Sequence, residues 1–231
     1  GLEFPSAVSP LNCPALAANT GVVGPDGTVY IPQSCSGGTY LAASADEGDS
    51  YRWLPVPGAP AANGLGAVAQ LAIDATGDLY LLWLANDRLA LTISRDGGQH
   101  WNAPLAVSPP ALHSITLPAL AAGPSGHVGV VYYASAGAST SSLSGYISET
   151  TNALTPSPLF YVGTVNDPAH PIFDNYGDAY SPRADFVGAA YDAHGDFWGG
   201  LVKQLGSPNS ANEIATTGYV THLAVRATRP R

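Results

Sequence analysis

Methionine is absent from this 231-residue chain, cysteine occurs twice, and lysine and arginine together number only 8. Each scarcity excludes something. The 8 cations stand against 17 aspartates and glutamates, a net charge of −9. A nucleic-acid partner, which needs clustered cations to face phosphates, is therefore not expected. Two cysteines are too few for a zinc framework. No run approaches the roughly 18 apolar residues of a membrane helix, so no membrane span is expected. The first residues do not follow the basic-then-apolar pattern of a signal peptide. No phosphate-binding loop, no His-Glu-x-x-His pair and no Gly-x-Ser-x-Gly elbow occurs, which removes the commonest nucleotide, zinc-protease and serine-hydrolase readings. Asn-x-Ser/Thr acceptors are missing too, so surface N-glycosylation is not indicated.

What remains is a chain that can bury a core. Hydrophobic residues make up 45% and charged residues 11%, outside the composition of a disordered segment. The 26 glycines and 20 prolines are scattered, as in many short strands joined by turns. Cys13 and Cys35 lie beside Gly/Pro/Ser turns. They are either a disulfide or two buried thiols. A disulfide is the expectation, because Cys13 precedes one strand and Cys35 ends the next, and adjacent antiparallel strands bring such positions together. A disulfide would imply an oxidising compartment. With the low lysine content, this suits a secreted or cell-surface protein.

A short pattern recurs along the chain. Gly24-Pro25-Asp26-Gly27-Thr28-Val29-Tyr30 is followed by Asp74-Ala75-Thr76-Gly77-Asp78-Leu79-Tyr80. Then come Gly123-Pro124-Ser125-Gly126-His127-Val128-Gly129 and Asp192-Ala193-His194-Gly195-Asp196-Phe197-Trp198. Each is a polar turn with a glycine suited to positive φ, leading into an apolar strand. Leu79 to Trp83 and Val128 to Tyr133 are nearly continuous apolar runs, the signature of strands buried on both faces. The turn glycines stand 50, 49 and 69 residues apart. About 40–50 residues is the size of a four-stranded propeller blade. The longer last step implies an insertion at 160–185.

A second motif keeps phase with the first. Ser94-Arg95-Asp96-Gly97-Gly98-Gln99-His100-Trp101 fits S-x-D-x-G-x-x-W, and Ser44-Ala45-Asp46-Glu47-Gly48-Asp49-Ser50-Tyr51 fits the same frame with tyrosine last. Asp46 and Asp96 each follow their turn glycine by 19 residues. A degenerate remnant lies near Ser148-Glu149-Thr150-Thr151-Asn152. These motifs resemble the Asp box of the sialidase-like, or BNR-repeat, propellers, and the resemblance covers essentially the whole chain. It implies an all-β propeller of four-stranded blades, about four in this chain, complete or part of a larger ring. It also implies that Ser44, Asp46, Gly48 and Tyr51, like Ser94, Asp96, Gly98 and Trp101, serve structure at the periphery rather than catalysis.

The expected organisation is one domain over 1–231, with blades at about 14–58, 66–108, 117–165 and 184–227. Ala7-Val8-Ser9-Pro10 parallels Ala106-Val107-Ser108-Pro109, so residues 5–10 are expected as an outer closing strand. That strand completes either this chain's last blade or one on another polypeptide, so a homo-oligomer or a second chain is a candidate partner.

The resemblance also implies what a working sialidase needs: an arginine triad, a tyrosine nucleophile paired with glutamate, and an acid/base aspartate. The family's Arg-Ile-Pro becomes Tyr30-Ile31-Pro32 here, without the arginine. None of Glu3, Glu47, Glu149 and Glu213 is expected beside a tyrosine. His100, His113, His127, His170, His194 and His222 show no metal-ligand spacing and are expected at surfaces and turns. The richest polar stretch is the insertion, where Asp174, Tyr176, Asp178, Tyr180, Arg183 and Asp185 cluster. Long loops on a rigid scaffold tend to carry function. Arg183 suits an anionic ligand, and the tyrosines suit stacking on a sugar ring. Asp174 and Asp178 suit sugar hydroxyls or Ca²⁺, the one cofactor this loop suggests. The competing reading is a solvated loop held by an Arg183–Asp185 or Arg183–Asp178 ion pair. Two functions follow: a non-catalytic extracellular module that binds a glycan or protein or builds a surface assembly, or a glycosidase with a site completed elsewhere.

Overall fold

The computed structural model describes residues 13, 21–61, 69–137, 142–173, 187–205 and 215–223. All regular structure among them is β. The strands form four antiparallel sheets in strict sequence order. The first holds β1 (Val22–Val23), β2 (Val29–Cys35), β3 (Gly38–Ser44) and β4 (Arg52–Pro55). The second holds β5 (Gln70–Ile73), β6 (Leu79–Ala85), β7 (Arg88–Ser94) and β8 (Leu105–Ala106). The third holds β9 (His113–Ala122), β10 (Val128–Ser135), β11 (Ser144–Thr150) and β12 (Tyr161–Thr164). The fourth shows three strands, β13 (Gly188–Tyr191), β14 (Phe197–Leu205) and β15 (Ala215–His222). The innermost strands lie side by side, β1 against β5, β5 against β9 and β9 against β13. No sheet closes into a barrel; the fold is a β-propeller with each sheet a blade. Among the described residues no helix is long and apolar enough to cross a membrane.

The blades begin with one repeated turn. The first residue of each turn donates its N–H to the carbonyl of the fifth: Gly24 to Thr28, Asp74 to Asp78, Gly123 to His127 and Asp192 to Asp196. The glycine before that fifth residue has φ between 77° and 92° in all four turns, the left-handed region that side chains avoid. Period-two alternation then sorts the second strand of each blade. Residues two and four after the glycine face the preceding blade, and residues three and five face the next. Tyr30 packs with Leu79 and Leu81, Tyr80 and Leu82 pack with Val128 and Val130, and Val131 packs with Leu201.

Burial follows from this sandwiching. Leu79 to Trp83 and the whole of β10 are buried on both faces. At the two ends of the series only one face is covered. In β2, Tyr30, Pro32 and Ser34 are buried while Val29, Ile31 and Gln33 are not. In β14, Phe197, Gly199 and Leu201 are buried while Trp198 stands 37% exposed. Glycine makes the third seam close. A Cβ on Gly129 would lie 2.4 Å from the Phe197 ring, and one on Gly123 would lie 2.5 Å from the Tyr191 ring.

Cys13 and Cys35 form the expected disulfide. The hairpins between third and fourth strands share one hydrogen-bond frame. Ser44 donates its hydroxyl to Asp46 at 2.8 Å and accepts the Gly48 N–H at 2.8 Å, and Asp46 accepts the Ser50 N–H at 2.9 Å. Ser94, Asp96, Gly98 and His100 repeat this at 2.9, 2.8 and 2.9 Å. The Tyr51 ring lies over Gly48, and Trp101 donates its indole N–H to the Gly98 carbonyl. A third hairpin uses the same frame with Thr150 and Asn152: Thr150 donates to Asn152, whose side-chain oxygen accepts the Leu159 N–H. Thr150 pairs with Val128 just as Ser44 pairs with Val29 and Ser94 with Leu79. The remnant near 148–152 has Thr150 in the serine place and Asn152 in the aspartate place.

Candidate functional site

Antiparallel order gives each blade two rims. The turns that open each blade and the Ser-Asp hairpins lie on one, the turn rim. The hairpins between second and third strands, and the connections from one blade to the next, lie on the other, the connection rim.

The connection from β12 to β13 crosses the connection rim. Its first part is fastened to the third blade. Asn166 accepts the Gly145 N–H at 2.9 Å and donates to Ser144, to the Asp167 carbonyl and to the His170 carbonyl. Asp167 accepts the Ala169 N–H and lies 3.2 Å from His170; the Ala169 bond and then the imidazole hold its carboxyl below the usual range. Leu143 and Phe173 exchange backbone bonds. The Phe173 ring is fully buried, edge-on to Tyr133 at 5.1 Å. The chain thus enters the insertion from a fixed point. The residues singled out there, Asp174, Tyr176, Asp178, Tyr180, Arg183 and Asp185, lie outside the described residues.

A second polar group stands on the same rim. Asn86 and Asp87 form the two-residue hairpin between β6 and β7, both at positive φ, which Asn and Asp tolerate best. The Asp87 carboxylate accepts the Ser114 N–H at 2.8 Å and the Ile115 N–H at 3.0 Å, and lies 3.7 Å from His113. Arg88 donates to the Leu112 and Pro110 carbonyls. These bonds tie the inner strand β9 to the second blade. Pairing of β9 with β10 shifts register on both sides of Tyr133. Ser114 and Leu117, inside this irregular stretch, have φ of 51° and 47°. Bulges of this kind re-aim side chains and concentrate near functional sites. The result is a half-exposed His113 beside an anchored carboxylate, next to a strained inner strand. In the sequence His113 is one more surface or turn histidine. The only signal was its place between a blade connection and an apolar strand.

The turn rim offers less. A cleft of about 390 Å³ between the first two blades is lined by Asp26, Tyr30, Arg52 and Asp96. Its carboxylates already have donors: Asp26 takes the Thr28 N–H and hydroxyl, and Asp96 takes Ser94 and His100. Also on this rim is a pairing the sequence reading did not expect. Tyr191 donates to Glu149 at 3.3 Å, so one glutamate does stand beside a tyrosine. Burial raises the Tyr191 phenol far above its usual range, and burial raises the Glu149 carboxyl. A nucleophile needs the opposite shift. Glu149 is only 5% exposed, and the pair closes the seam between the third and fourth blades. His127, edge-on to Tyr191, has a buried Nδ1 with no partner among the described residues. No group of three metal-ligating side chains occurs among the described residues.

No protein-family model matches the chain, and no curated protein is significantly similar to it. Solved structures are similar. The NanB sialidase of Streptococcus pneumoniae superposes with a TM-score of 0.53 at 14% identity, covering 88% of this chain and 30% of its own. An α-L-arabinofuranosidase of Fusarium graminearum, solved with arabinobiose, gives 0.55 at 13% identity, with 92% and 64% covered. A protein of unknown function from Dyadobacter fermentans gives 0.54 at 16%, with 95% and 59% covered. The chain thus spans under two thirds of the length of each. At such identities the likeness speaks to fold alone. With four serial blades opened by one repeated turn, the chain has the fold of the sialidase-like β-propellers.

Proposed function

We propose that this chain is an extracellular, non-catalytic module that binds a glycan at the connection rim, between its second and fourth blades. The observation that carries the reading is the anchored polar rim itself. Asp87 is held by backbone bonds beside a bulged inner strand, with His113 3.7 Å away, and Asn166 is held by backbone bonds at the outer side of the third blade on the same rim. Fixed polar groups of this sort suit sugar hydroxyls, because little freedom is lost on binding. Arg183, Asp174, Asp178, Tyr176, Tyr180 and Asp185, carried by the same connection, supply the anion-binding fork, the acceptors and the stacking rings of the proposed site. The Ser-Asp hairpins are read as Asp boxes that stiffen the far rim. The disulfide fits an oxidising compartment.

The non-catalytic part rests on how the polar groups are used. Asp87 and Asp167 hold backbone N–H groups, and Arg88 holds two carbonyls. None of them is left for proton transfer or for clamping a carboxylate. One finding favours a second reading, a glycosidase with a site completed by blades beyond these four: the chain is covered over most of its length by propellers of the sialidase and arabinofuranosidase kind.

Titration calorimetry with arabinobiose and with a sialylated lactose, run beside a chromatographic assay for released monosaccharide, tests the proposal. Saturable heat for one of them, with no product over a day and at least a tenfold weaker affinity in Arg183→Ala, supports it. Product release would replace it with the hydrolase reading. Absence of binding to either sugar at millimolar concentration would remove the glycan reading.

A further inference from the structure

The four blade-opening turns are of two kinds, and they alternate. The first and third read Gly-Pro-x-Gly (Gly24–Gly27, Gly123–Gly126), and the second and fourth read Asp-Ala-x-Gly (Asp74–Gly77, Asp192–Gly195). The seams alternate with them. Where a Gly-Pro turn precedes an Asp-Ala turn, the proline packs on the next glycine: Pro25 lies 3.4 Å from the Cβ position of Gly77, and Pro124 lies 3.3 Å from that of Gly195. Where an Asp-Ala turn precedes a Gly-Pro turn, the contact is polar. Asp74 accepts the Gly126 N–H at 3.1 Å, Ala75 donates to the Gly123 carbonyl at 3.1 Å, and Thr76 donates to Ser125 at 3.2 Å.

The fourth blade ends the series on an Asp-Ala turn, and the first begins it on a Gly-Pro turn. Among the described residues their outer faces are the exposed ones. The fourth blade shows Trp198, Val220 and Ala190, with Val220 75% exposed, and the first shows Val23 at 62%. Trp198 occupies the place that Tyr80 fills in the second blade. It donates its indole N–H to Asp192 as Tyr80 donates its hydroxyl to Asp74. Val29 occupies the place of Val128, which Tyr80 packs against. Gly27, the counterpart of Gly126, bonds its N–H within its own turn. Apart from that Gly27 bond, the two open faces match the two halves of the seam already formed between the second and third blades. They match in hydrogen bonding as well: the pair corresponding to Thr76 and Ser125 is His194, which can donate, and Asp26, which accepts.

We propose that the fourth blade docks against the first blade of a second copy of this chain, forming the second-to-third type of seam. Ala193 donates to the Gly24 carbonyl, His194 meets Asp26, and Trp198 covers Val29. Two such seams related by a two-fold axis give a closed ring, so no open apolar edge is left. The inference is independent of the glycan reading, since every contact in it lies in the blade seam.

Light scattering on the 231-residue chain across 1–100 μM, combined with cysteine cross-linking, tests it. The expected mass is twice that of the chain, returning to the single mass in Val220→Asp, whose side chain is too exposed to be needed for folding. An oxidised mixture of His194→Cys and Asp26→Cys chains is expected to give a covalent dimer containing one of each. Three results would overturn the proposal. One is a single mass throughout with no cross-link. Another is a dimer that Val220→Asp leaves intact. The third is a cross-link formed within one chain by the double variant, which would show the fourth blade closing on its own first blade.

Discussion

Asp46 and Asp96 show what a single carboxylate does in this fold. Ser50 hydroxyl and N–H bonds hold Asp46 at a pKa of about 2, and the N–H and imidazole of His100 do the same for Asp96. An unfolded aspartate titrates near about 3.9. A depressed folded value means stabilisation that is complete above the unfolded value and lost as pH falls toward the folded one. The contribution of these two aspartates to thermal melting is expected to be flat from pH 7 to 5 and to fall steeply between about pH 4 and 2. Asp46→Asn/Asp96→Asn should flatten that acid limb. Glu149 carries the opposite sign. Burial raises its carboxyl, so its charge opposes folding once pH exceeds the unfolded value. Glu149→Gln, which keeps an acceptor for Tyr191, should melt higher than the parent at pH 7 and equal to it below pH 4. A lower melting temperature at pH 7 would contradict the assigned burial cost. The two carboxylates of the S-x-D frame could be placed from sequence because a serine, an aspartate and a glycine at fixed offsets have few structural uses. The Glu149–Tyr191 contact could not, because it joins residues on different blades.

Blade seams are the elements on which stability rests, and the third is the tightest. A methyl group at Gly129 must displace the Phe197 ring. Gly129→Ala is therefore expected to cost about 1–3 kcal/mol in chemical denaturation, while Gly137→Ala, with no neighbouring atoms, should be nearly neutral. Equal effects would mean that the seam relaxes freely. The propeller was legible at this scale because the turn glycine and the hairpin aspartate keep one spacing in the first two blades. The third hairpin, legible only as a degenerate remnant near 148–152, falls out of phase for a physical reason. The second and third strands of that blade are joined by a long connection, Ser135 to Ser144, where the first two blades use tight hairpins. The spacing was lost although the hydrogen-bond frame was kept. The alternation of Gly-Pro and Asp-Ala turns stood in the sequence as well. Its meaning needed the seam contacts, because both turns are equally polar and equally short. The bulges of β9 left no trace in composition: Ser114 and Leu117 adopt conformations imposed by Asp87 and by pairing with β10.

For the whole molecule, the two rims divide the labour. The turn rim holds the repeated glycines, the Ser-Asp frames and the buried Glu149–Tyr191 pair, all of which bind the molecule to itself. The connection rim holds the strained inner strand, the anchored Asp87–His113 pair and the entry to the insertion. The stretch 160–185 stands out in the sequence by length and polarity, though 161–164 of it is strand β12; the Asp87–His113 pair does not stand out, since the two residues meet only through the fold. The central claim is that ligand is taken on the connection rim. Hydrogen exchange read by mass spectrometry, with and without saturating arabinobiose, tests it most directly. Slowed exchange in peptides spanning 86–88, 112–118 and 165–185, with the hairpins at 45–50 and 95–100 unchanged, is the predicted result. Protection confined to those hairpins, or to the cleft around Arg52, would contradict it.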